Sequence, residues 1–192
     1  MIHLLVGLPL VDVGGFRASA YDTQFNELGE EVAAGSFALY ADAPVHRFRR
    51  LDLRLYTGGG LQSLRYEAPG LSFDGATWDL LAELGPAWTI GDGAVRGFAE
   101  LGLGVSGRLG LPDYADAVAV FGVSGHGAVG VTFGRGPLAG VVAFRTDSVG
   151  SLASASGDIL LPDGSLSWYW TASTFRAVVS AGVAFGGGPD AR

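Results

Sequence analysis

Along much of this chain apolar side chains recur at every second position, and in two places aromatic residues bracket the run. Trp78, Leu80, Ala82, Leu84, Pro86 and Trp88 form one set, and Phe175, Ala177, Val179, Ala181, Val183 and Phe185 form the other. Successive side chains of a β-strand point to opposite faces, so each set shares a face, and ten residues at roughly 3.3 Å span about 33 Å. Tilted by about 40–45°, such a segment rises roughly 24–25 Å, about the height of the apolar band of an outer-membrane barrel between its aromatic girdles. Trp78, Trp88, Phe175 and Phe185 are therefore expected at membrane interfaces.

The alternation predicts strands over about 76–90, 93–108, 115–124, 127–134, 137–147 and 165–186, the last doubling back near Ala172-Ser173-Thr174. The first half is less regular, with strands expected near 2–12, 14–25, 35–45 and 47–57 and a weaker one near 62–72. Turn signals separate them: Asp74-Gly75, Gly91-Asp92-Gly93, Leu111-Pro112-Asp113, Ser124-Gly125-His126-Gly127, Gly134-Arg135-Gly136-Pro137 and Asp163-Gly164. Asp-Gly pairs supply the positive φ angles that tight hairpins need. The acidic stretch from Asn26 to Glu31 reads as an exposed loop or short helical turn. No repeat or linker is visible, so residues 1–192 are expected to form one all-β domain. The expectation is an antiparallel up-and-down transmembrane barrel of eight to twelve strands, an even number being usual for a bacterial single-chain barrel.

A soluble sandwich or closed soluble barrel shows the same alternation, so the second face has to discriminate. Opposite the apolar positions lie Arg50, Asp52, Arg54 and Tyr56; Asp79, Leu81, Glu83 and Gly85; and Arg96, Phe98, Glu100, Gly102, Gly104 and Ser106. A solvated sheet face usually carries Thr, Lys, Glu and Arg, because Gly offers nothing to pack and weakens a strand. Small residues mixed with isolated charges of both signs suit a narrow lumen, where opposite charges pair across the barrel. Asp52, Arg54, Asp79, Glu83, Arg96, Glu100, Arg145 and Arg176 are accordingly expected to point inward. Pro86 removes a ladder hydrogen bond, so its strand is expected to be bulged or at an edge.

Composition supports the membrane choice. Charged residues are 16% of the chain and glycines number 32 among 192, the first low and the second high for a soluble domain. Every basic residue is Arg, and with 12 basic against 19 acidic residues the chain lacks the concentrated basic surface that nucleic acid requires. The cluster Arg47, Arg49 and Arg50 reads as a solvated strand end. Cys is absent, which excludes disulfides, thiol nucleophiles and thiolate metal sites. No run of about 18 apolar residues exists, so a membrane is crossed only as a closed barrel. The first twenty residues lack the positive n-region of a signal peptide, and an export signal is expected to have been removed.

The alternation, the hairpin spacing, the Lys-free and Cys-free composition and the last strand from Arg176 to Phe185 together resemble the small outer-membrane β-barrels of Gram-negative bacteria. That strand is similar to the C-terminal assembly signal of the class, a glycine followed by alternating apolar residues and an aromatic, although here Gly186 to Arg192 follow the aromatic. The resemblance implies an outer-membrane location and the lipid bilayer as partner, and it names no family within the class.

Chemistry is sparse. Ser124 and His126 are the one neighbouring Ser/His pair, but they miss the Gly-x-Ser-x-Gly elbow and read as a hairpin turn. The histidines at 3, 46 and 126 lack metal-ligand spacing, and the Asp-Gly pairs lack the alternating oxygen ligands of a calcium loop. Asp79 and Glu83, about 13 Å apart by strand rise, exceed glycosidase spacing. No catalytic residue, metal or cofactor is expected. The reading is a non-enzymatic outer-membrane barrel acting as a narrow, porin-like channel or as a structural or surface-binding scaffold. The alternative is a soluble barrel or sandwich that binds an apolar ligand or a protein.

Overall fold

The computed structural model describes residues 1–22, 27–68, 71–112, 118–161 and 164–186, with side chains described over 1–13, 36–63, 65, 75–110, 119–156 and 173–186. Strands β1 (Ile2–Asp22), β2 (Glu27–Phe48), β3 (Leu51–Ala68), β4 (Leu71–Ile90), β5 (Val95–Pro112), β6 (Val118–Phe133), β7 (Leu138–Ser151), β8 (Ser154–Leu161) and β9 (Gly164–Phe185) pair antiparallel, in chain order as far as β7. β7 and β8 both lie along β9 and form the lower and upper parts of one wall strand, interrupted at Leu152 and Ala153. β1 pairs along β9 from Ile2↔Phe185 to Asp22↔Gly164 and closes the sheet. The result is an all-β, antiparallel, closed barrel of eight wall strands.

One end holds Met1, Gly186 and the turns at 49–50, 91–94 and 134–137; it is called the mouth below. Each of these turns contains a left-handed residue. Gly91, Gly93, Gly134 and Gly136 supply it in two of them, and Arg49, at φ 56°, supplies it in the third. Two of the three turns are those expected from Gly91-Asp92-Gly93 and Gly134-Arg135-Gly136-Pro137.

Several expected boundaries shift because the strands are longer than their local turn signals suggest. Within the described residues, the segments near 2–12 and 14–25 belong to one strand, β1, those near 115–124 and 127–134 belong to another, β6, and β9 runs on without a turn at Ala172-Ser173-Thr174. Asp74-Gly75 lies within β4, and Ser124 to Gly127 lie in the middle of β6. In both places the neighbouring strands continue the ladder, so long-range pairing outweighs local turn preference. The segment 47–57 instead spans the turn between β2 and β3, and 62–72 runs past the end of β3 into β4. Glu27 to Glu31 belong to β2 rather than to a loop or helical turn, while Asn26, Asp113 and Asp163 lie outside the described residues. Pro86 sits in register, with Leu84↔Leu103 before it and Ala87↔Glu100 after it. The strand is therefore neither bulged there nor at an edge.

Alternation along these strands produces two unlike surfaces. Outward-facing apolar side chains remain highly exposed, Leu8 at 67%, Leu80 at 70% and Leu103 at 77%, and they occur on every described strand of the lower barrel. Inward-facing positions are buried. Leu5, Ala38, Tyr40, Leu81, Phe98, Val141 and Val178 form an apolar cluster that shares the lumen with a larger set of polar and charged groups.

Candidate functional site

Among the described residues the lumen is where the fold concentrates chemistry, and their ion pairs stack in it at three levels. At the level farthest from the mouth, Asp79 on β4 accepts from Arg108 on β5, with Nη2 at 2.8 Å, and from Arg176 Nη2 on β9 at 2.7 Å. Arg176 Nε also donates to Asp12 on β1 at 2.9 Å. In the middle, Glu83 Oε2 accepts from Arg145 Nη2 at 3.0 Å and meets His126 Nδ1. Arg145 Nε donates to Asp147, whose Oδ2 also accepts from the Tyr40 hydroxyl at 2.6 Å, and the guanidinium stacks 4.4 Å from the Tyr40 ring centre. Tyr56 packs edge-on against His126 with ring centres 4.4 Å apart.

Near the mouth, Arg54 on β3 binds Asp42 on β2, donates from Nη2 to Met1 O at 2.6 Å, and lies 3.6 Å from Asp52. Asp42 Oδ2 faces His3 Nδ1 on β1 at 3.1 Å, and His3 stacks on Phe98. A funnel of about 740 Å³ opens here, lined by Arg47, Arg49, Arg50, Asp52, Arg96 and Thr132 at its sides and reaching His3, Arg54 and Glu100 at its floor. Between the middle level and the one farthest from the mouth, Asp79, Ser106, Arg108 and Asp147 line a cavity of about 10 Å³, room for at most one water.

Six of the eight residues expected to point inward are buried in this lumen: Arg54, Asp79, Glu83, Glu100, Arg145 and Arg176. Asp52 and Arg96 sit half-buried at the funnel, where Arg96 Nη2 reaches Met1 Sδ at 3.3 Å. The ladder explains the meetings. Asp79 pairs directly with Arg108, and Asp12 with Arg176, so charges on adjacent strands are set side by side before any side chain chooses a rotamer.

Asp12, Asp42, Arg108, Asp147, His3 and His126 were not among the sequence candidates. Parity alone points to two of them, because Arg108 shares a face of β5 with Glu100 and Asp147 shares one of β7 with Arg145. The Ser124 and His126 pair occupies adjacent inward positions of β6 rather than a turn. Both are buried, and His126 is turned to Glu83 in a filled interior. Trp78, Trp88, Phe175 and Phe185 all face outward, between 40% and 50% exposed.

No family model matches the chain, and no curated protein matches it. Solved structures do. The outer membrane protein OprG from Pseudomonas aeruginosa matches with a TM-score of 0.54 at 12% identity, covering 97% of this chain and 96% of that one. Neisserial surface protein A matches with a TM-score of 0.47 at 12% identity over 96% of each chain. The attachment invasion locus protein of Yersinia pestis, solved with a heparin analogue, matches with a TM-score of 0.44 at 9% identity, covering 95% of this chain and 97% of that one. The OprG likeness is one of fold. This chain folds as a small outer-membrane-type barrel.

Proposed function

We propose that the protein is a non-enzymatic barrel of the bacterial outer membrane, embedded in the lipid bilayer by its apolar wall and closed to ion flow. The filled, ion-paired lumen carries the closed reading. An eight-stranded barrel has an interior just wide enough for side chains, and here Asp79, Glu83, Arg108, Arg145, Asp147 and Arg176 occupy it at two successive levels. Conduction would require those pairs to separate within a low-dielectric interior, which costs several kcal/mol.

The wall supports the bilayer as its surroundings. A soluble monomer rarely exposes contiguous apolar patches beyond a few hundred Å², whereas Leu4, Leu39, Leu53, Leu84, Leu101, Val123, Val142 and Val179 continue one around the barrel. Phe48, Trp88, Phe133 and Phe185 lie near the mouth, with Trp78, Phe121 and Phe175 farther up, the arrangement two interfacial girdles require.

Strand length favours a scaffold over a channel. The 22 residues of β2 and of β9 extend roughly 73 Å, or about 51–56 Å along the axis at the usual tilt. A band of about 25 Å leaves roughly 26–31 Å of wall projecting from the end opposite the mouth. That projecting sheet is the surface a partner outside the cell would meet. Planar-bilayer recording of the folded protein tests the reading. Steady ohmic conductance would overturn the closed scaffold in favour of a porin-like channel, and monodispersity in water without detergent would overturn the membrane assignment.

A further inference from the structure

Glu100 is the anomaly of the lumen. It is 4% exposed, its buried Oε2 accepts no hydrogen bond, and it forms no ion pair among the described residues. Its neighbours relieve this only in part, since the Tyr56 hydroxyl beside it brings no charge. Asp42 carries a second buried carboxylate, and Arg54, the guanidinium at this level, is already shared by Asp42, Asp52 and Met1 O. Arg96, four residues away on the same face of β5, turns to Met1 instead. Buried carboxylates persist when they are paired or when they coordinate metal. His3 supplies the third donor, and ligand atoms of His3, Asp42 and Glu100 lie within 4.8 Å of one another.

We propose that His3, Asp42 and Glu100 form a binding site for a divalent transition-metal ion at the floor of the mouth funnel, with Arg54 as positioning residue. One imidazole and two carboxylates are the donor set of Zn²⁺ and of Mn²⁺ or Fe²⁺ rather than of Cu⁺. His3 Nδ1 and Asp42 Oδ2, at 3.1 Å, already stand close to the spacing of about 3.3 Å that two ligands adopt on a tetrahedral Zn²⁺. The metal takes the place of the proton between them. Arg54, bound to the other oxygen of Asp42, holds that carboxylate in place as outer partners of metal ligands do. Glu100 reaches in from β5, across the lumen from β1 and β2, so the ion ties together strands that do not pair. Three protein ligands leave a position open toward the funnel, through which the ion enters and on which water or a small solute binds. Sequence spacing hides the site entirely, because its ligands lie at positions 3, 42 and 100 and only barrel closure gathers them.

The test is titration of the chelator-stripped, detergent-folded full chain with Zn²⁺ by calorimetry, alongside the heat-dependent gel shift that reports barrel folding. The expected result is one saturable site, weakened about tenfold or more in both Glu100→Gln and His3→Ala and unchanged in His46→Ala. Glu100→Gln preserves shape, so its effect is readable even where His3→Ala folds poorly. Absence of saturable binding in the parent chain overturns the proposal. So does binding that survives Glu100→Gln, or binding lost only with His46→Ala, since His46 is exposed on the outside of β2.

Discussion

The middle and the mouth of the lumen are built from the same side-chain types, yet only in the middle does every carboxylate have an ion pair. In the middle, Glu83 and Asp147 face Arg145 and His126, with Tyr40 donating as well. At the mouth, Glu100 and Asp42 face His3 and an Arg54 that three acceptors share. The difference teaches where the interior is locked and where it has capacity for something else. On the proposed reading, the filled middle level closes the barrel, and the level at the floor of the open funnel takes up a cation.

The largest test of that contrast is Arg145→Leu. It strands Glu83 and Asp147 in a buried site, and breaking a buried pair by removing one partner costs about 3–5 kcal/mol. Urea unfolding of the detergent-folded barrel should show a loss of that order, and a loss below about 1 kcal/mol would mean that the middle level is not a lock. Next is Leu103→Arg, on the outer wall and paired with Leu84 and Gly125. Near the bilayer midplane such a change should cost about 2–4 kcal/mol in lipid vesicles, whereas a water-facing position would be indifferent.

Gly102→Ala is a smaller intrusion into the middle level. A Cβ there would come within 2.3 Å of the His126 ring, so the imidazole must move away from Glu83, at an expected cost of about 1–3 kcal/mol in the same unfolding assay. The mouth should tolerate its counterpart change. Glu100→Gln removes a buried charge that has no ion pair, and without metal its stability should stay within about 1 kcal/mol of the parent or rise. The smallest effect belongs to Arg49→Gly. Relieving a left-handed non-glycine in the turn below the funnel should add up to about 1 kcal/mol, seen as a higher urea midpoint.

Much of the architecture could be read from periodicity, because each strand declares its two faces residue by residue. In β4, Trp78, Leu80, Leu84 and Trp88 are exposed while Asp79 and Glu83 are buried, as parity alone requires of a barrel wall. Strand ends were less legible. Gly125 and Gly127 look like a turn when read locally, but Leu103 and Leu101 stand opposite them in an unbroken ladder. Glycine there narrows the wall between larger neighbours instead of reversing the chain. The interior site was half legible: acidic and basic positions on the inward face were identifiable, and which of them meet was not.

What the sequence determined by itself was the two-sidedness of the wall, since alternation is a property of neighbouring residues and survives any arrangement of strands. It also bounded the chemistry, with no thiol, no lysine and no elbow serine. What the tertiary structure decided was everything that depends on register and closure. It reduced the expected eight to twelve strands to eight, joined β1 to β9, and aligned Asp79 with Arg108. It also brought His3, Asp42 and Glu100 to one level. The physical reason is that a strand shows its faces locally, whereas the partner across a lumen is chosen by how far each strand is staggered when the sheet closes.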